Sequence, residues 1–145
     1  METRKATMAD APAITELTSQ LGYPADSTET QQRLAKILAQ TDTALYVAED
    51  DNGAVIGWVQ ALALYSLESG FRVEIIGLIV AENARRRGVG RMLVGCIEQW
   101  TRARGSGVIV VRSNSQRIKS HLFYPSLGFQ HSKDQKVYRK TVVSG

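Results

Sequence analysis

Cysteine is almost absent. Cys96 is the only one in 145 residues, so the chain holds no internal disulfide. Histidine is nearly as scarce, with only His121 and His131. One thiol and two imidazoles do not make a structural zinc set, and no metal is expected. No apolar run approaches the roughly 18 residues of a membrane span, so no membrane partner is expected. The first residues, METRKATMADAPA, lack the apolar centre of a secretory signal. Together these scarcities point to a reducing compartment, and the expectation is a cytoplasmic protein. Two phosphate-binding signatures are missing as well. No Gly-Lys-Ser/Thr closes a P-loop, and Leu93 stands where a dinucleotide fingerprint needs its third glycine.

What is present is ordinary in bulk. Hydrophobic residues make up 43% and charged residues 22%, as in a globular domain. With no repeats, linkers or low-complexity tracts, residues 1–145 read as a single domain. The net charge of +4, from 18 basic and 14 acidic residues, favours anionic partners. The basic residues are bunched: Arg85, Arg86, Arg87, Arg91, Arg102 and Arg104 share one stretch. A solvated helix face is the plain reading of such a cluster. A nucleic-acid surface would need basic residues spread over a face with exposed aromatics. Here the arginines sit on a glycine turn, and no nucleic-acid partner is expected.

The chain reads as β-α-α-β-β-β-α-β-α-β-β. A first strand covers 4–7. Asp10 caps a helix carrying Pro12, Ile14, Leu17 and Leu21, which Gly22 ends. Thr28 and Gln31 form a capping-box pattern for a second helix with Leu34, Ile37 and Leu38. Strands follow at 43–49 and 54–64 around the turn Asp51-Asn52-Gly53, then a loop at 65–70. The strand at 71–81 contains Gly77, which signals a bulge or a close backbone approach. Val89, Met92, Leu93, Cys96, Ile97, Trp100 and Ala103 follow helical spacing, and Gly105 stops that helix. Residues 107–112 read as a short, fully buried strand. A helix over 115–124 ends at Pro125 and Gly128, and 129–143 reads as a final antiparallel pair. The fold class is α/β, a mixed sheet with helices on both faces.

Between the strand at 71–81 and its following helix stands Arg85-Arg86-Arg87-Gly88-Val89-Gly90. Glycines at a helix start let a phosphate reach the unpaired N–H groups and the positive end of the dipole. Arginine adds charge-assisted bonds. The segment therefore reads as a pyrophosphate cradle. It also resembles the Arg/Gln-x-x-Gly-x-Gly/Ala motif of the GNAT superfamily of acetyl-CoA-dependent N-acetyltransferases. Leu78-Ile79-Val80 resembles that family's Leu-x-Val strand end, five residues before the motif. Tyr124-Pro125-Ser126-Leu127-Gly128-Phe129 resembles its Tyr-x-x-x-Gly-Phe signature. The element order is similar over essentially the whole chain. Glu82 departs from the pattern, since many members have proline there. The segments 111–114 and 123–124 resemble the small bacterial members similar to aminoglycoside 6'-N-acetyltransferases.

The resemblance implies a mostly antiparallel sheet of six to seven strands, splayed between the fourth and fifth, with about four helices. It implies acetyl-CoA as co-substrate, lying in the splay with its pantetheine arm against Leu78, Ile79 and Val80. Arg85, Arg86, Arg87, Gly88, Val89, Gly90 and Arg91 would surround the pyrophosphate, and Asn114 would touch pantetheine. The acceptor is an amine, placed by loops carrying Tyr23, Asp26, Tyr65, Glu68, Phe71 and Asp134. A small molecule is the first expectation. A protein lysine or N-terminal amine, or a non-catalytic acyl-CoA-binding role, are the alternatives. A homodimer is compatible with the family.

Acetyl transfer needs a base for the ammonium and an acid for the departing thiolate. Tyr124 occupies the family's general-acid position; otherwise it is an amphipathic core tyrosine. Glu74 interrupts an apolar strand eleven residues before Arg85, where family members carry a carboxylate. It reads as the base or as an orienting group for the amine; otherwise it shares a solvent face with Arg72. His121 and His131 read as structural, Cys96 and Trp100 as core, and Trp58 as lining core or cleft.

Overall fold

The computed structural model describes residues 1–112 and 123–143. The chain divides into two compact units, residues 1–112 and 113–145. The first contains β1 (Glu2–Lys5), α1 (Ala11–Gln20), α2 (Ser27–Leu38), β2 (Thr43–Glu49), β3 (Val55–Ser66), β4 (Gly70–Val80), α3 (Val89–Ala103) and β5 (Ile109–Val111). The strands form one sheet in the order β1-β2-β3-β4-β5. Every neighbouring pair is antiparallel except β4 and β5, which run parallel.

Helices cover both faces of this sheet. On one side the apolar stripe of α3 buries Leu93, Val94 and Ile97 almost completely. A Cβ at Gly57 of β3 would press tightly on Ile79 O at 3.0 Å and on Leu93 and Val89 of that stripe at 3.1 and 3.2 Å. On the other side Ala11 and Ile14 of α1 and Leu34 of α2 meet Leu45 and Val47, with Trp58 packed against them. Each fully buried leucine or isoleucine contributes roughly 1.5–3 kcal/mol.

Two caps differ from the sequence expectation. The second helix is capped by Asp26, whose Oδ1 accepts from Thr28 N at 2.7 Å and Glu29 N at 3.3 Å. Asp26 lies two residues upstream of Thr28, and its carboxylate reaches two of the open N–H groups, which the hydroxyl of Thr28, already inside the helix, cannot. Asp10 precedes α1 as expected, but its carboxylate does not cap that helix. It is buried and accepts from Thr7 N and from both terminal nitrogens of Arg4, each at 2.8 Å. The β2–β3 turn follows the sequence. Gly53 has φ +81°, and Asp50 Oδ1 accepts from Asn52 N and Ala54 N, both at 2.9 Å.

β5 is shorter and wetter than the expected buried strand. Only Ile109, Val110 and Val111 are paired, and all three are half-buried. In the second unit residues 123–126 are helical, and Gly128 at φ +92° ends the turn as expected. The rest of the expected helix, from 115, lies outside the described residues. The expected final strand pair is not formed. Residues 129–143 contain no strand, so the sheet has five strands among the described residues rather than six or seven. A lone two-stranded ribbon is marginal without an apolar face to bury, and Val137, Tyr138, Val142 and Val143 are all exposed.

Candidate active site

The site begins with one extra residue in β4. Gln60 pairs with Gly77, and the next rung joins Ala61 to Ile75, so Ile76 has no partner of its own on β3. This bulge changes which backbone groups face which neighbour. Before it, Val73 N donates to Val108 O at 3.0 Å, toward β5. After it, Ala81 N donates to Ile56 O at 2.8 Å, toward β3. Backbone groups alternate sides along a strand. Counting back from Ala81, Ile79 and Gly77 therefore face β3, while Leu78 and Val80 turn their N–H and C=O groups to the β5 side. Among the described residues no strand receives them there, because β5 pairs only with Val73, Glu74 and Ile75. The described ladder ends at Ile75–Val111, and residues 76–80 form an open edge among the described residues. Leu78 and Val80 offer their backbone; Ile79 has its backbone committed to β3 and its side chain buried.

β4 then leads into the arginine turn. Arg85 is extended, Arg86 has φ +65°, and Gly88 has φ +80°. A left-handed arginine costs roughly 1–2 kcal/mol, and such costs concentrate at functional sites. Gly88 is the N-cap of α3, supplies no side-chain hydrogen bond, and is followed by no acidic residue in the first turn. The first intrahelical bond runs from Met92 N to Gly88 O at 3.0 Å. The N–H groups of Val89, Gly90 and Arg91 thus have no helical acceptor. Arg85, Arg86, Arg87 and Arg91 are exposed, and none enters an ion pair among the described residues. Open amides, a helix dipole and unpaired guanidinium groups fit a diphosphate such as that of coenzyme A.

Glu74 lies just before the bulge, opposite Leu62 of β3 and on the face that carries Trp58. Its side chain is only 12% exposed, and Oε1 accepts from Arg112 Nε at 2.5 Å. Arg112, not singled out by its sequence context, is therefore a partner of the candidate base. Its signal is a charge directly after the apolar triplet 109–111. The parallel register that brings it to Glu74 is not readable locally. Arg86 was also legible only as a charge, since nothing in three successive arginines announces a positive φ.

The other candidates fall elsewhere. Tyr124 belongs to the second unit, edge-on to Phe123 at 5.1 Å and to Phe129 at 5.7 Å. Asn114 and His121 lie outside the described residues. His131 is exposed and meets Asp134 at 3.0 Å. Cys96 is half-buried on α3. It lies near Tyr46, whose phenol is pushed up by burial and then by that thiol. Trp58 packs on the α1–α2 core, and its Nε1–H is buried without a partner among the described residues. Of the expected acceptor-loop residues, Tyr65 and Phe71 stack at 6.2 Å across the β3–β4 turn. No group of three or more metal-ligating side chains occurs among the described residues.

The chain matches the family described as "Acetyltransferase (GNAT) family" over residues 11–129. It is 25% identical over 140 residues to the aminoglycoside N(6')-acetyltransferase type 1 of Stenotrophomonas maltophilia, covering 94% of this chain and 90% of that protein. The crystal structure of the aminoglycoside 6'-N-acetyltransferase AAC(6')-Ig from Acinetobacter haemolyticus is similar at TM-score 0.86 and 22% identity, over 98% of this chain and 99% of that one. AAC(6')-Iy in complex with the bisubstrate analogue CoA-S-monomethyl-acetylneamine is similar at TM-score 0.86 and 22% identity, over 97% and 98% of the two chains. The structural likenesses establish the fold.

Proposed function

The chain belongs to the GNAT acetyltransferase family, and on that premise we propose that it moves the acetyl group of acetyl-CoA onto a primary amine of a small cationic acceptor, with Glu74 serving the amine and Tyr124 the departing thiol. The observation that carries this reading is the adjacency of two binding features in one unit. Among the described residues, a β4 edge open at Leu78 and Val80 runs directly into an uncapped helix N-terminus under four arginines that form no ion pair. The family match crosses the boundary between the two compact units, which supports reading residues 1–145 as one catalytic domain.

The chemistry that acetyl-CoA supplies when bound is an activated thioester carbonyl. Leu78 and Val80 hold the pantetheine amides by strand-like pairing. The α3 N–H groups and Arg85, Arg86, Arg87 and Arg91 hold the phosphates. Near neutral pH an aliphatic amine is mostly ammonium and not a nucleophile. Glu74 removes one proton from it, and Tyr124 returns one from its phenol to the thiolate. The acceptor class rests on the relatives. The three relatives described above are named for aminoglycosides, and the analogue held by one of them carries a neamine moiety.

The test is thiol release from acetyl-CoA, followed with DTNB, against a panel of aminoglycosides, polyamines, lysine peptides and free N-terminal peptides. Fastest turnover is expected on small polycationic amines. Faster turnover on peptides would replace the acceptor class, and no release with any amine would leave a binding module.

A further inference from the structure

We infer that Arg112 is the positioning residue for Glu74: it anchors one carboxylate oxygen and leaves the other presented to the acceptor amine beside the end of the described β4–β5 ladder. This rests on Glu74 acting on the amine, as proposed above. The ladder between the two strands ends at the rung Ile75–Val111. Arg112 is the next residue after that rung, and Glu74 stands one residue before it on β4. Their pair, Arg112 Nε to Glu74 Oε1 at 2.5 Å, therefore sits at the end of the described ladder. Its asymmetry is the informative part. Glu74 is 88% covered, yet only Oε1 is engaged among the described residues. Among the described residues the one side-chain polar atom sealed from solvent without a partner is Trp58 Nε1, so Oε2 is not sealed.

A carboxylate on a strand has two torsions and a carboxyl twist to fix. One charge-assisted bond from a half-exposed guanidinium fixes them without occupying both oxygens. A bidentate clamp would have engaged both oxygens and left neither clear of the guanidinium. Arg112 thus does two things through Glu74: it orders the carboxylate before the acceptor arrives, and it leaves the proton-accepting oxygen open.

The experiment measures kcat and KM for the best amine of the panel, together with acetyl-CoA affinity and Tm, for Arg112→Gln, Arg112→Lys, Glu74→Gln and the double variant Arg112→Gln/Glu74→Gln. Positioning predicts that Arg112→Gln lowers kcat/KM for the amine about tenfold, the size of a coupled contact pair. It should cause no further loss in the Glu74→Gln background. Acetyl-CoA affinity should be unchanged. Arg112→Lys should recover most of the loss, because a single point contact suffices for one oxygen. If Arg112→Gln fails to fold, Arg112→Met keeps the stem and carries the same comparison. An equal loss with and without Glu74, or no loss, overturns the inference. An inert Arg112→Gln beside a crippled Glu74→Gln removes only the role of Arg112. A fully active Glu74→Gln removes the base as well.

Discussion

The indole of Trp58 occupies the space that a side chain at Gly77 would need: a Cβ built on Gly77 would lie 2.6 Å from Cζ3 and 2.8 Å from Cη2 of that ring. Gly77 is also the residue at which β4 resumes pairing after the bulge. The ring and the bulge thus hold each other in place, and the bulge is what turns Leu78 and Val80 outward. Gly77→Ala should cost roughly 1–3 kcal/mol by overpacking, read as a lower urea midpoint. Trp58→Leu in the same background should return part of that loss through non-additivity. Simple additivity of the two changes would mean that the ring does not brace the bulge.

Acid stability should depend on Asp10. Its hydrogen bonds from Arg4, and then from Thr7, outweigh burial and hold its carboxyl below the usual range. A lowered folded value means the stabilisation is present above the unfolded value near 3.9 and is lost as pH falls from there through the folded value. Asp10→Asn should lower the urea midpoint at pH 7 and flatten its decline below about pH 4. The same decline in the variant would assign acid unfolding to other carboxylates.

Strain at Arg86 gives a prediction in two directions. Arg86→Gly relieves a left-handed side chain and should raise stability by up to about 1 kcal/mol. It also removes a cation from the turn and should weaken coenzyme A binding. A variant that gains stability and keeps full affinity would place this guanidinium outside the phosphate site.

The arginine cluster should show itself through salt and through the 3'-phosphate. Affinity for coenzyme A should fall between about 0.05 and 0.5 M salt, where exposed pairs become screened. Dephospho-coenzyme A should bind more weakly. Equal affinity for both would confine the arginines to the pyrophosphate.

Most of this arrangement was readable in the sequence where signals are local. The stripe of α3 repeats over four turns, and β2 lies between clear turn residues at 43–49. Gly77 announced the irregularity of β4, because glycine in a strand interior needs a reason. What escaped depends on pairing at long range. The partnership of Glu74 with Arg112 spans 38 residues and exists only through the parallel β4–β5 register. The alternation in 129–143 suggested strands, but the exposed Val137 and Tyr138 show that a pattern without a partner makes no ladder.

The two proton-transfer roles should separate with pH. Glu74→Gln should slow turnover about 10²-fold or more near pH 7, within the range for one general base. The deficit should shrink at high pH, where the amine deprotonates unaided. Tyr124→Phe should keep its deficit at neutral pH, because a thiol ionises only near pH 8–9. Profiles of kcat/KM on one amine decide this. A Glu74→Gln profile that overlays the wild type would return Glu74 to an ordinary strand residue.

Calorimetric titration of acetyl-CoA into the wild type and into Gly90→Glu tests the central claim most directly. Gly90 stands in the first turn of α3, among the open amides. A carboxylate there puts negative charge and bulk where the phosphates are proposed to lie. The account predicts binding by the wild type and none by a variant whose circular dichroism and Tm show it folded. Wild-type affinity in that folded variant would contradict the account.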